Sequence, residues 1–371
     1  MIVLVANLGS TSFKFRLLDM DAGGRELARG SYERIGQPSG QYRSHDEVID
    51  VILAGLQRKP DAIGFKAVHG GPISGAVRVS DQVIATMEQF ADIAPAHNPP
   101  YIAAMKAFKA KLPNVPQVAA FETAFHQTIP LARQVYAIPW EWTQGLGIRR
   151  YGFHGASHRY IAQRLAELEP AARRIISCHL GGSCSVCAIR DGKSVANSFG
   201  LTPQTGVFHN NRVGEFDIYA MLRLARHGHT LEEVLRRLGR EGGLLGISGV
   251  SGDMRDVRRA AQAGNPQARL AIEAFVDSVR HYIGAYLVVL GGCDALVFTA
   301  GIGENETDIR NAICRDLAWA GIELDAGKNS ARAREAKIST LESRASIWIV
   351  PTNEELIVAR QTVAVLSEPM N

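Results

Sequence analysis

The chain has 371 residues, 46% hydrophobic and 21% charged. That composition excludes a disordered or fibrous chain and leaves room for two or three domains at roughly 100–200 residues each. Lysine and arginine number 41 against 37 acidic residues, a formal net charge of +4, and so small and scattered an excess excludes the basic stripe of a nucleic-acid-binding protein.

In chain order, residues 2–20, IVLVANLGSTSFKFRLLDM, read as an apolar strand, a turn and a second strand. In the second strand Phe13, Phe15 and Leu17 alternate with Lys14 and Arg16. The start lacks the basic flank of a secretion signal. Helical spacing follows at Asp46–Leu56, Asp81–Phe90, Pro100–Lys111 and Ser157–Leu168, with Ser157 as the expected N-cap. Residues 175–190, IISCHLGGSCSVCAIR, repeat the pattern of the first hairpin, which suggests two related domains with a change between them near 120–155. Asp217–Arg226, Thr230–Leu238 and Asn265–Leu290 predict helices. The apolar run 286–300 contains Asp294 and two glycines and is too short to span a bilayer. Strand Ala295–Thr299 runs into Gly301-Ile302-Gly303-Glu304-Asn305, and strand Ser346–Val350 precedes a last helix, Asn353–Leu366. Strands mixed with helices give an α/β fold class. The five cysteines, Cys178, Cys184, Cys187, Cys293 and Cys314, form no disulfide framework and point to a reducing, cytoplasmic setting.

Three turns carry chemistry. Asn7-Leu8-Gly9-Ser10-Thr11-Ser12, with Lys14 beyond, offers backbone N–H groups, hydroxyls and an ammonium, a set that suits a phosphate. A plain hairpin turn with solvated residues is the alternative. Gly181-Gly182-Ser183 repeats that character, and Gly301-Ile302-Gly303 leads from a strand toward a helix N-terminus, where anionic or polar ligand atoms are favoured. Glu354 is a candidate metal ligand through its oxygens, while Asn353 and the acids after it equally suit a helix cap. Cys178, His179, Cys184 and Cys187 do not read as a zinc site, because side chains on strands point alternately to opposite faces.

Longer motifs add a family. N-L-G-S-T-S-F-K-F at 7–15, V-H-G-G at 68–71, A-P-A-H-N-P-P at 94–100, F-E-T-A-F-H-Q-T at 121–128 and Y-G-F-H-G-A-S-H at 151–158 occur in order. They continue with C-H-L-G-G at 178–182, G-I-S-G-V-S-G-D-M-R-D at 246–256, F-T-A-G-I-G-E-N at 298–305 and P-T-N-E-E-L at 351–356. Across essentially the whole length the chain resembles the acetate kinase family of short-chain carboxylate kinases, within the sugar kinase, heat-shock 70 and actin superfamily. The resemblance implies two actin-like (ribonuclease H-like) domains with a nucleotide cleft between them. One would be residues 1–124 joined by the C-terminal helix 356–368, the other residues 125–355. It implies reversible, Mg²⁺-dependent transfer of a phosphoryl group from ATP to acetate or a similar acid, giving ADP and an acyl phosphate. It further implies a homodimer, with no nucleic acid or membrane partner.

By the same resemblance, Glu122, His154, Arg212, His97 and His179 would be catalytic, and Lys66, Val68, Ala96, Phe153 and Pro203 would receive the acid. Ser10, Ser12, Lys14 and the run His179, Leu180, Gly181, Gly182, Ser183 would meet nucleotide phosphates. Asp253, Met254, Arg255 and Gly301, Ile302, Gly303, Glu304, Asn305 would flank the adenosine. Asn7 and Glu354 would organise the metal. The chain departs from the family pattern near this chemistry. Lys66 and Glu122 replace an arginine and an aspartate, Ala96 a leucine and Ala156 a hydroxyl residue. Asn210-Asn211 replaces Gly-Thr, and Gly182-Ser183-Cys184 replaces Asn-Gly-Ser. A kinase for a larger acid such as propionate or butyrate, or a nucleotide-binding protein without turnover, are the alternatives these changes raise.

Overall fold

The computed structural model describes residues 1–94, 97–331 and 334–368. Two six-stranded sheets form the frame. The first contains β1 (Ile2–Gly9), β2 (Ser12–Asp19), β3 (Arg25–Glu33), β4 (Ala62–Ala67), β5 (Ala76–Arg78) and β6 (Gln117–Phe121), in spatial order β3-β2-β1-β4-β6-β5. The second contains β7 (Arg174–Leu180), β8 (Cys184–Arg190), β9 (Lys193–Asn197), β10 (Ala295–Thr299), β11 (Ala336–Lys337) and β12 (Ser346–Ile349), in order β11-β12-β10-β7-β8-β9. Read from the hairpin end, both sheets have three antiparallel strands, two further parallel strands and an antiparallel edge strand. The echo between the two sequence hairpins is therefore an echo of whole sheets.

Helices cover both faces of each sheet, so the central strands are apolar throughout rather than alternating with polar residues. In the first sheet Leu4, Ala6, Phe13 and Phe65 pack against Val48, Ile49 and Ile52 of helix His45–Gly55 and against Met105 and Phe108 of helix Asn98–Lys111. Val3, Val5 and Ala62 face the other way, against Val358 and Ala359 of the last helix, Glu354–Ser367. A Cβ on Gly64 would stand 2.4 Å from Thr362 Oγ1, so this glycine lets the last helix lie close against β4. Asn353 caps that helix by accepting the N–H of Leu356, and Arg16 of β2 donates to the same Asn353 oxygen at 2.8 Å. The chain thus returns at its end to the sheet where it began.

In the second sheet Ile176, Cys178, Leu296 and Phe298 pack on helix Pro266–Leu290, while Ile175, Cys187, Ala295 and Val297 pack on helix Gly155–Leu168. Cys178 and Cys187 lie in cores on opposite faces.

Several helix starts differ from the sequence expectation. The helix expected from Ser157 begins at Gly155, with His154 as N-cap, because Gly155 lies flush on the Glu122 carbonyl, where its N–H donates at 2.9 Å. The helix expected from Pro100 begins at Asn98, since the first turn tolerates proline. The helix expected from Asp217 begins at Ala220, because the Asp217 carboxylate accepts the N–H of Tyr219 and makes a turn instead. Strands β4 and β6 have no counterpart in the sequence reading. AIGFKA and QVAAF are short runs buried on both faces, with no period to distinguish strand from helix.

Candidate active site

A cavity of about 280 Å³ opens where the two sheets approach each other. From the first sheet it is lined by the β1–β2 turn (Asn7, Leu8, Gly9, Ser12, Lys14), by Lys66 and Val68 at the end of β4, and by Glu122 just past β6. The ends of three parallel strands therefore deliver the polar groups. His97 and Tyr101 enter from helix Asn98–Lys111 and its N-cap. From the other side come Phe153, His154, Ser183, Pro203 and Arg212.

Beside the cavity lies an unbalanced charge cluster. Lys66 Nζ sits 2.5 Å from Glu354 Oε2 and 3.8 Å from Glu122 Oε1, all three side chains largely buried. Glu122 Oε1 and Oε2 and Glu354 Oε1 have no hydrogen-bond partner among the described residues. Burial pushes the Glu122 carboxyl up to about 7, against the pull of Lys66 and with the repulsion of Glu354. Burial acts to raise Glu354 too, but Lys66 and then His179 override it and hold that carboxyl below its ordinary value. Burial would lower Lys66, and the two glutamates outweigh it and raise the ammonium above its usual range. One lysine for two buried carboxylates, with three free oxygens, is a donor set that fits a hard divalent cation. Asn7 lines the same cavity, and its Oδ1 accepts from the Tyr101 hydroxyl at 3.4 Å.

The histidine and arginine side is preorganised. His154 is held with φ 56 and ψ 33, a left-handed conformation costly for a residue with a Cβ and typical of functional sites. His179 stacks on it at 3.9 Å between ring centroids. Burial lowers both imidazoles, His179 to about 4 and His154 well below its ordinary value, so both are neutral at pH 7. His97 is lowered to about 4 by burial and then by Arg212 and Lys66. Arg212 Nη1 donates to Ser183 Oγ and to the Pro203 carbonyl, each at 2.9 Å, which fixes the guanidinium plane at the cavity. Val68 and Phe153 pack in one apolar cluster with Tyr151, Phe199 and Leu201, and Pro203 continues this wall at the cavity. Ala96 lies outside the described residues.

In the first turn, Ser10 is exposed at the tip and Lys14 reaches outward to within 3.9 Å of Glu33. In the second turn, Leu180 is core, whereas Gly181 and Gly182 border the third turn and Asn210. The third turn begins at Ala300, again left-handed (φ 65), and is fastened by Glu304, which accepts the Ala300 N–H, and by Asn305, which donates to Gly301 O. Ile302 and Gly303 are buried beneath it. Asp253 caps helix Met254–Gln262 and pairs with Arg255, which holds its carboxyl down to about 2; Arg255 itself is exposed. The Met254 side chain is in the core, so only its backbone reaches this surface. Arg258 of the same helix pairs with Glu306 and Asp308 and ties the segment to the third turn.

The sequence reading named Leu8 and Gly9 only as part of the first turn and missed Tyr101 in the cavity lining, and also His45. The Tyr101 hydroxyl accepts the N–H of Leu8 at 2.9 Å, and His45 Nε2 lies 3.0 Å from the carbonyl of Gly9. Both side chains hold the first turn in shape. Tyr101 follows Asn98-Pro99-Pro100 directly, and that helix start is the signal that would have found it.

Two sheets of one topology, with anion-suited turns meeting beside a fixed arginine, define a phosphotransferase of the actin-like kind. The family model described as the acetokinase family matches residues 2–360. Acetate kinase 2 of Clostridium perfringens is 41% identical over 99% of this chain and 100% of its own length. A propionate kinase of Citrobacter rodentium is 41% identical over 98% of this chain and 96% of its own. Among solved structures, Porphyromonas gingivalis acetate kinase superposes with a TM-score of 0.89 at 35% identity, covering 99% of this chain and 100% of that one. A Francisella tularensis propionate kinase gives a TM-score of 0.91, also at 35% identity, covering 98% and 99%.

The chain belongs to the acetokinase family. It is a phosphotransferase with a carboxyl group as acceptor, taking a nucleotide, accompanied by a divalent metal, and a short-chain carboxylate. The alternative of a nucleotide-binding protein without turnover is set aside, since the relatives it matches are kinases. Among the described residues no helix is long and apolar enough to cross a membrane.

Proposed function

We propose that this chain is a cytoplasmic acetate kinase that converts ATP·Mg²⁺ and acetate reversibly to ADP and acetyl phosphate. The observation that carries the reading is the cavity, which sets an apolar wall (Val68, Phe153, Pro203) beside the cations Arg212 and Lys66 and the neutral imidazole of His154. A short acid lays its methyl group on the wall and turns its carboxylate toward the cations. Ser10, Ser12, Lys14 and residues 179–183 hold the nucleotide phosphates. Asp253 to Arg255 and Gly301 to Asn305 hold the adenosine. Residues 1–124 with helix 356–368 form one domain and 125–355 the other, and they close over both substrates. The active species is a homodimer.

Transfer to a carboxylate oxygen needs no covalent enzyme intermediate. It needs the attacking oxygen, the phosphorus and the leaving oxygen in line, with the equatorial oxygens neutralised. Arg212 and a His154 N–H would neutralise those equatorial oxygens, with His97 and His179 alongside. Asn7 and Glu354 would hold Mg²⁺, with Glu122 next to them. The cation would supply charge neutralisation for the phosphates and would balance the one carboxylate charge that Lys66 leaves in excess.

A longer acid facing a shorter base is a compensated pair. Lys66→Arg alone and Glu122→Asp alone are each expected to lower kcat/KM by roughly 10–100-fold through ångström-scale misplacement. The double variant is expected to recover, with a coupling of about 0.5–3 kcal/mol. Additive losses in steady-state kinetics would contradict the pairing.

The acid range tests the function. ADP release with formate, acetate, propionate and butyrate is expected to peak at acetate. Propionate should follow at a cost of about 1–3 kcal/mol, roughly 10–200-fold in kcat/KM, for the added methylene. ATP turnover that no acid stimulates would overturn the proposal.

A further inference from the structure

Behind His154 runs a buried chain of hydrogen bonds that the catalytic reading does not use. His154 Nδ1 lies 2.8 Å from Ser185 Oγ, and the same oxygen lies 2.8 Å from His158 Nε2. His158 Nδ1 lies 2.9 Å from Ser177 Oγ. His158, Ser185 and Ser177 are fully buried. Ser177 and Ser185 sit on β7 and β8, and His158 is one turn into the helix that His154 caps. Next to this chain, His126 Nε2 lies 2.8 Å from the Phe153 carbonyl, which can only accept, so that nitrogen carries its proton and pins the backbone just before His154.

Ser185 has one proton to give and two imidazole nitrogens beside it. If it donates to His154 Nδ1, then His158 Nε2–H donates to Ser185, and Ser177 donates to His158 Nδ1. Every buried proton in the chain is then used, and the His154 proton stands on Nε2. If Ser185 instead donates to His158, the His154 proton moves to Nδ1 and His158 donates to Ser177. The Ser177 hydroxyl proton is then left with no acceptor among the described residues. A buried donor without a partner is disfavoured, so the first arrangement prevails. Burial also holds both imidazoles well below their ordinary values, so neither nitrogen pair is saturated with protons at pH 7.

We propose that Ser177, His158 and Ser185 are positioning residues that polarise His154, fixing its proton on Nε2 so that a neutral imidazole presents an N–H donor to the cavity. This rests on the reading of His154 as a donor to the transferring phosphoryl group. A neutral His154 with its proton on Nδ1 would turn a lone pair toward an anionic phosphoryl oxygen and repel it. The direction in which the Ser185 hydroxyl donates therefore decides whether His154 helps or hinders.

The test uses ¹⁵N-histidine-labelled full-length protein. The His154 resonance, assigned by its loss in His154→Gln, reports which nitrogen is protonated. In the wild type the proton is expected on Nε2. In Ser177→Ala, which leaves only an unpaired acceptor at His158 Nδ1, the Nε2 signature should persist, whereas in Ser185→Ala and in His158→Ala the signal should shift toward a tautomer mixture. Alongside it, kcat should fall roughly tenfold or more with KM for ATP within about twofold. His158→Gln, whose amide N–H stands in for Nε2–H, should keep the Nε2 signature and recover most of kcat relative to His158→Ala. His158 is not part of the cavity lining, so His158→Ala stays informative if Ser185→Ala folds poorly. Unchanged tautomer and kcat in His158→Ala would overturn the relay. Full activity in His154→Ala, which carries no donor, would instead overturn the donor role of His154 itself, and the two failures are distinguishable.

Discussion

Replacing Arg212 with alanine is expected to lower kcat by about 10³–10⁵, the range supplied by an arginine that neutralises a transferring phosphoryl group. The loss should fall on kcat rather than on KM for ATP, because the charge Arg212 meets is largest in the transition state. The structure gives the reason for so large an effect. The guanidinium lines the cavity and is fixed through one nitrogen by Ser183 Oγ and the Pro203 carbonyl, so its plane is set before substrate arrives. Arg212→Lys should recover only part of the activity, since an ammonium cannot hold both anchors and also present a planar fork. An Arg212→Ala protein with an unchanged melting temperature and kcat within tenfold of wild type would remove Arg212 from the chemistry.

Acidification is expected to unfold the protein cooperatively at a pH between about 5 and 6. Seven imidazoles are neutral, five of them buried and two, His97 and His154, half-buried at the cavity. Burial lowers His69, His97, His126 and His179 to about 4 and His209 to about 3, and holds His154 and His158 well below their ordinary values. In the unfolded chain each binds a proton near pH 6.5. Their folded values are depressed, so the stability they contribute is fully present above pH 6.5 and is lost as pH falls toward the folded values. Each removes about 1.4 kcal/mol per pH unit in that window. Together they remove several kcal/mol over the first unit below pH 6.5, a large share of a whole stability of about 5–15 kcal/mol. Glu122 works in the opposite sense. Its carboxyl is pushed up to about 7, so it favours the folded state at low pH and loses that contribution as pH rises. One such group does not offset seven. A fluorescence or circular dichroism titration should show one steep transition, and a native signal persisting unchanged to pH 4.5 would contradict the account.

Much of this was legible from sequence because the chemistry sits in continuous motifs. Asn7 to Ser12, Gly181 to Ser183 and Gly301 to Asn305 are turns between recognisable strands or helices, and the repeat of the first hairpin at 175–190 announced the second sheet. What escaped depends on pairings distant in sequence. Strands β4 and β6 are too short and too uniformly apolar to show a period, yet their ends bring Lys66 and Glu122 within 3.8 Å. Tyr101 looks like an ordinary core aromatic until its hydroxyl meets Leu8. Ser157 looked like a helix cap, and its hydroxyl instead lies 2.8 Å from His179 Nδ1. The Ser177–His158–Ser185 chain joins two strands and a helix, and no spacing along the sequence encodes that meeting.

Lys66, read from sequence as a group for the acid, is paired at 2.5 Å with Glu354, the residue assigned to the metal. The two assignments meet in one cluster, so a divalent cation taking up Glu354 would leave the ammonium for the substrate carboxylate and would link metal occupancy to acid binding through a single side chain.

The most direct test traps the product. Protein, ATP, Mg²⁺ and acetate are incubated with hydroxylamine, and acyl hydroxamate is measured against ADP. A carboxyl acceptor predicts hydroxamate and ADP in equal amounts, both abolished in Arg212→Ala. ADP accompanied by inorganic phosphate and no hydroxamate would mean that water, not a carboxylate, receives the phosphoryl group.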